Sequence, residues 1–251
     1  MRVFLVFAAL AAPAARAQAP AVKPPASPEA AAAARENMLA KTGGILQAPL
    51  EGARVVVVNA QKRCPAAEIV GVAAEMTKAT HLPVAAEDRK AGGIADLDAF
   101  AAEALKREGV AAVIICHEGK GRAPLLVAPE RRWAAVDVSA LKTAGASDEV
   151  LLERVRKELW RALGYMMGAA NSNFEGCLLR PVFSADGLDA LKARSLCPEP
   201  FNKLLMQAAA LGIKPIRTTT YRKACEEGWA PAPTNGFQKA IWDEVKAKKA
   251  E

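Results

Sequence analysis

The chain has 251 residues, with 34 basic and 27 acidic side chains giving a net charge of +7, and only 5% aromatic residues. This is long enough for a sizeable buried core. The mild basic excess lacks the concentrated Lys/Arg patch with stacking aromatics that a nucleic-acid interface needs, so nucleic acid is not an expected partner.

Arg2, the apolar run over residues 3–12 and the small-x-small triplet Ala15-Arg16-Ala17 follow the order of a secretory signal, cleaved before Gln18. The apolar run is well short of the ~18 residues a membrane span needs. The reading is therefore a signal peptide over 1–17 and an exported chain, periplasmic or extracellular, with no transmembrane segment once it matures. Loss of Arg2 and Arg16 leaves 32 basic against 27 acidic residues, a net charge of +5. Residues 18–49 are rich in alanine and proline, a linker composition with a short helix over residues 28–40.

A domain is expected over residues 50–215. Residues 54–59 are β-branched and apolar, which predicts a buried strand. Pro65 opens a helix whose apolar side carries Ile69, Val72, Ala73 and Met76. A second strand over 81–86, a helix over 97–107 and a fully apolar strand over 109–116 follow. An edge strand at Leu125–Ala128 and a further strand over 132–141 complete the run. This alternation predicts an α/β fold: a twisted, mostly parallel mixed sheet with two backing helices. Ser147-Asp148-Glu149 is a helix start, and the long helix over 150–167 follows it. The tail, 216–251, holds a turn-rich segment around Trp229 and a short amphipathic helix around Trp242. Docking of both tryptophans onto the domain is expected, with partner binding if they are exposed.

The long helix carries the functional argument. Glu158 and Gly164 stand where the zinc-protease motif H-E-x-x-H-x-x-G-x-x-H has its glutamate and glycine, but its three histidine positions hold Lys157, Arg161 and Met167. In a working motif the first two histidines share a helix face and one zinc, the glutamate is the general base, and the glycine lets the chain turn so that the third histidine closes the site. Cys177 and Leu179, then Cys197 with seventeen residues between it and Leu179, continue the pattern. This resembles the archaemetzincin family, a metzincin-type group of zinc metalloproteases whose signature goes on to C-x-M, seventeen residues, and C-x-x-C. The resemblance spans about residues 55–204. It departs from the family at Gly168 and Pro200, where two structural-zinc cysteines would stand, at Leu179 in place of the turn methionine, and in four extra residues before Cys177.

The resemblance implies a metzincin-like domain with a long active-site-like helix and a small C-terminal helical part. It makes Glu158 a vestigial general base. It implies no retained zinc or other cofactor, because the whole chain has two histidines, His81 and His117, and cannot supply three. Two alternatives stand for Lys157 and Arg161: pairing with Glu158 in place of the metal's charge, or pointing to solvent. Of the five cysteines, the former structural-zinc residues Cys177 and Cys197 are expected to be bridged in an oxidising compartment, with Cys64 and Cys225 as a second pair. Cys116-His117 lie on opposite faces of a strand and make no nucleophile–base pair.

The functional expectation is an inactive, exported pseudo-protease that holds an extended peptide or protein segment along Leu125–Ala128. The rival expectations are a hydrolase built on Glu158 with His117 and a purely structural envelope protein.

Overall fold

Residues 55–58 and 113–115 form the centre of a five-stranded sheet, because unbroken β-branched and aliphatic runs need both faces covered. A computed structural model describes residues 27–47, 52–89, 94–119 and 123–250. The signal-like segment over 1–17 and the first part of the linker lie outside the described residues.

In chain order the elements are α1 (Pro28–Thr42), β1 (Ile45–Gln47), β2 (Arg54–Ala60), α2 (Ala66–Thr80), β3 (Val84–Arg89), α3 (Leu97–Leu105), β4 (Val110–His117), β5 (Leu125–Ala128), β6 (Trp133–Asp137), α4 (Val138–Leu141), α5 (Asp148–Met166), α6 (Ala185–Ala190), α7 (Pro198–Ala210), β7 (Thr218–Thr220), α8 (Tyr221–Glu227) and α9 (Gly236–Ala250). The chain divides into two units, Gln47–Thr218 and Met1–Leu46 with Thr219–Glu251.

In the larger unit the sheet order is β3-β2-β4-β6-β5, with β5 alone antiparallel. Alternate residues of β2 serve opposite cores. Val55 and Val57 pack with α2 and α5, whereas Val56 and Val58 pack with α3. The sheet is therefore covered on both faces, giving the three layers that strand–helix alternation predicts. The sixth strand is shorter than expected. Asp137 ends it, because its Oδ1 accepts from the Ser139 backbone N–H at 2.9 Å and turns residues 138–141 into α4.

The smaller unit has its own apolar centre of Tyr221, Cys225, Ile241 and Val245, with Trp242 packed against it. Tyr221 takes the space beside Gly43, whose φ of +68° needs a residue without a side chain. Trp229 is half-buried and donates its indole N–H to Glu227 at 2.8 Å. Among the described residues no helix is long and apolar enough to cross a membrane.

Candidate active-site helix

Ser147 caps α5 by accepting the Val150 N–H at 3.3 Å, and Asp148 and Glu149 place negative charge in its first turn. Val155, Leu159, Ala162 and Leu163 then bury one side of the helix in the core beneath the sheet. The opposite side holds Arg154, Lys157, Glu158 and Arg161, and it is not in solvent. Their exposures are 3%, 6%, 2% and 5%.

Buried charges persist only when paired or hydrogen-bonded, and each of these four is. Arg154 clamps Asp189 through two bonds of 2.9 and 2.6 Å, and its Nη1 reaches the Leu141 carbonyl at 2.7 Å. Lys157 donates to the Leu188 carbonyl at 2.8 Å, with the Glu153 carboxylate 3.8 Å away. Arg161 Nη1 donates to the carbonyls of Leu178 at 2.8 Å and Arg180 at 2.7 Å, while its Nε lies 3.3 Å from Glu158. Its guanidinium also stands 5.4 Å from the centre of the Tyr165 ring. Of the two alternatives for residues 157 and 161, the pairing of Arg161 with Glu158 is present, and neither cation points to solvent.

Burial raises Glu158 above the usual carboxylate range, against the pull of Arg161. Burial likewise lowers Lys157, against the pull of Glu153. Both shifts have the sign expected of charges taken out of water.

The helix ends where residues 150–167 predict, and the turn that a working motif makes at its glycine is not made at Gly164. Gly164 stays helical, and a β-carbon there would come within 2.9 Å of Leu179 Cδ1. The helix runs on to Met166, Met167 caps it, and Gly168 takes the left-handed conformation at φ +75°. Met167 is 1% exposed and belongs to the apolar core, so the third motif position carries a packing residue.

The cysteines depart from expectation. All five are free thiols. Cys177 and Cys197 are neighbours without a bond: the Cys197 N–H donates to Cys177 Sγ at 3.3 Å, and Ser172 Oγ lies 3.2 Å from Cys197 Sγ. Cys64 faces Cys116, with 3.9 Å between the sulfurs, while Cys225 is part of the core of the smaller unit. The expected pairing of Cys64 with Cys225 failed because the carboxyl ends of the paired strands β2 and β4 bring residues 64 and 116 together. His117 continues the alternation of Val113 and Ile115, which face α3, whereas α5, which carries Glu158, packs on the face of Ile114 and Cys116. The structure therefore does not bring His117 and Glu158 into one site.

The Arg154–Asp189 clamp and the carbonyls of Leu178, Arg180 and Leu188 were not foreseen. The stripe Arg154, Lys157/Glu158, Arg161 is spaced to share a helix face, and that periodicity was the available signal.

No protein-family model and no curated protein matches the sequence. Solved structures do. The crystal structure of archaemetzincin from Methanopyrus kandleri aligns with a TM-score of 0.51 and 18% identity, over 64% of this chain and 98% of that one. The fold is archaemetzincin-like. A zinc-dependent peptidase from Methanocorpusculum labreanum aligns similarly, with a TM-score of 0.50 and 17% identity over 59% and 99% of the two chains.

Within the archaemetzincin-like fold the residues at the motif positions do not fit zinc. The Lys157 ammonium and the Arg161 guanidinium offer no lone pair, and their donors are aimed at the carbonyls of residues 188, 178 and 180. Two cations on this face would also repel a divalent ion. Among the described residues no three His, Cys, Asp or Glu side chains form a metal-binding group.

Proposed function

We propose that this chain is an exported, catalytically inactive relative of the archaemetzincins, kept as a protein- or peptide-binding scaffold. The observation that carries the reading is the buried bridge from Arg161 to Glu158, Leu178 and Arg180, which commits the motif's glutamate and its second histidine position to a structural network. The general base of the motif is thereby committed to a neighbouring guanidinium. Partner recognition falls to β5, an edge strand with its outer hydrogen-bonding side unpaired in the sheet order and with Leu126 46% exposed.

A purely structural role in the cell envelope is the second reading, favoured by the same filled interior. Metal analysis and peptidase assays on the purified mature chain test the inactive reading. Sub-stoichiometric zinc and no Glu158-dependent hydrolysis are expected. One tightly held zinc per chain that Glu158→Ala abolishes, or a peptidase activity lost in Glu158→Gln, would overturn it. Hydrogen exchange with extended peptides separates the two remaining readings: protection at Leu125–Ala128 supports docking, and unchanged exchange there supports the structural role.

A further inference from the structure

The carboxyl ends of β2 and β4 meet where the chain connections diverge. From β2 the chain leaves through α2 to β3 on one side, and it returns through α3 to β4 on the other. In open α/β sheets the crevice outside such a switch point is where ligands and reactive groups collect. Here it holds two cysteines. Asn59 of β2 is in register with Cys116 of β4, and Cys64 lies with its sulfur 3.9 Å from that of Cys116.

The loop that delivers Cys64 is tightly set. Gln61 and Lys62 both adopt left-handed conformations, at φ 66° and 54°, which side-chain-bearing residues adopt only at a cost. Buried Asn59 holds the loop through a 2.8 Å bond from its amide to the Cys64 carbonyl and a second of 2.8 Å to Asp88. Cys64 directly precedes Pro65, the N-cap of the fifteen-residue helix α2, whose dipole favours a thiolate. Both thiols are buried, Cys116 fully and Cys64 at 3% exposure, so Cys64 is the nearer of the two to solvent and an incoming disulfide reaches it only when the loop over residues 61–64 opens.

We propose that Cys64 and Cys116 form a thiol–disulfide exchange site, with a disulfide as its oxidising substrate and an intramolecular Cys64–Cys116 bridge as its product. The Cys64 thiolate attacks one sulfur of the incoming disulfide. That S–S bond breaks, and the departing thiolate takes up a proton. Cys116 then gives up its proton and attacks the Cys64 sulfur, expelling the second thiol. In total one disulfide is reduced to two thiols while two cysteine thiols are oxidised to one disulfide. The contact with the Cys116 thiol lowers Cys64 below its usual range, and the same contact together with burial raises Cys116. The sulfurs need to approach by roughly 2 Å to reach bonding distance.

The test equilibrates the full chain with glutathione buffers of rising oxidised fraction and maps non-reduced peptides by mass spectrometry. The expected result is a Cys64–Cys116 cross-link in the wild-type chain, with loss of both thiols. Cys116→Ser should stall with glutathione on Cys64, and folded Cys64→Ser should leave Cys116 unmodified. No 64–116 bridge in the most oxidising buffer, Cys64 bridged to another cysteine, or glutathione on Cys116 in folded Cys64→Ser would each overturn the proposal. The wild-type map decides it even where a variant fails to fold.

Discussion

Leu179 lies so close to Gly164 that a β-carbon on the glycine would stand 2.9 Å from its Cδ1. The residue that replaces the turn methionine of the family pattern thus packs directly on the motif glycine. Gly164→Ala is expected to destabilise the chain by about 1–3 kcal/mol through overpacking, despite alanine's better helix propensity. Leu179→Ala should partly rescue it, so that the double variant is less destabilised than the sum of the singles. Urea midpoints of the four proteins check this, and a stabilised Gly164→Ala would contradict the packing argument.

Arg161 and Lys157 should respond differently to removal of charge. Arg161→Met strands Glu158 as a buried carboxylate and frees the Leu178 and Arg180 carbonyls, at an expected cost of about 3–5 kcal/mol. Lys157→Met strands less. The Leu188 carbonyl still accepts from the Leu191 N–H at 3.2 Å, and Glu153 keeps its bond to Arg156 at 2.9 Å. The expected cost there is within about 1 kcal/mol, because a buried ion exchanged for an apolar residue of similar volume is often neutral. Equal losses in denaturant titrations would argue against this division of roles.

The pH dependence follows from the two shifts. With Glu158 raised by burial, the folded chain binds that proton more tightly than the unfolded chain. Its contribution is therefore fullest below the ordinary value of 4.5 and is lost as pH rises through the folded value. Lys157 is lowered by burial, so the folded chain gives up its proton earlier, and stability is regained as pH rises from the folded value toward 10.5. Glu158→Gln should remove the decline on the acid side, and Lys157→Met the recovery on the alkaline side. Unfolding free energies across pH 4–10 would show either change.

Gly168 offers a contrast to Gly164. No atom lies within 4 Å of a β-carbon there, yet its φ of +75° is left-handed. Gly168→Ala is expected to cost about 1–2 kcal/mol from backbone conformation alone, and Gly168→Asn less. Similar losses for alanine and asparagine would place the cost elsewhere.

The strand–helix order was legible because β2 and β4 are continuous apolar runs and because Ser147-Asp148-Glu149 is an unmistakable helix start. The sixth strand was overextended, since Val138 and Leu141 continue its apolar pattern and only the cap by Asp137 ends it. The inward turn of Lys157 and Arg161 was not legible. Their partners are backbone carbonyls of residues 178, 180 and 188, which carry no side-chain signature. The contact of Cys64 with Cys116 was hidden for a related reason: it depends on β2 and β4 being neighbours, a fact of topology rather than of spacing.

Because α5 continues through Gly164, position 167 caps a helix instead of lying beyond a turn. Successive residues of an α-helix are rotated by about 100°, so position 167 is displaced from position 161 by roughly a third of a turn as well as by height. Placing histidines at 157, 161 and 167 would put the third imidazole on a different side of the helix from the second. Building a three-histidine centre would also require unwinding the last turn and evicting Met167 from the core. Each step alone costs stability and gains no metal. The extended helix thus keeps a three-histidine centre out of reach of any single substitution.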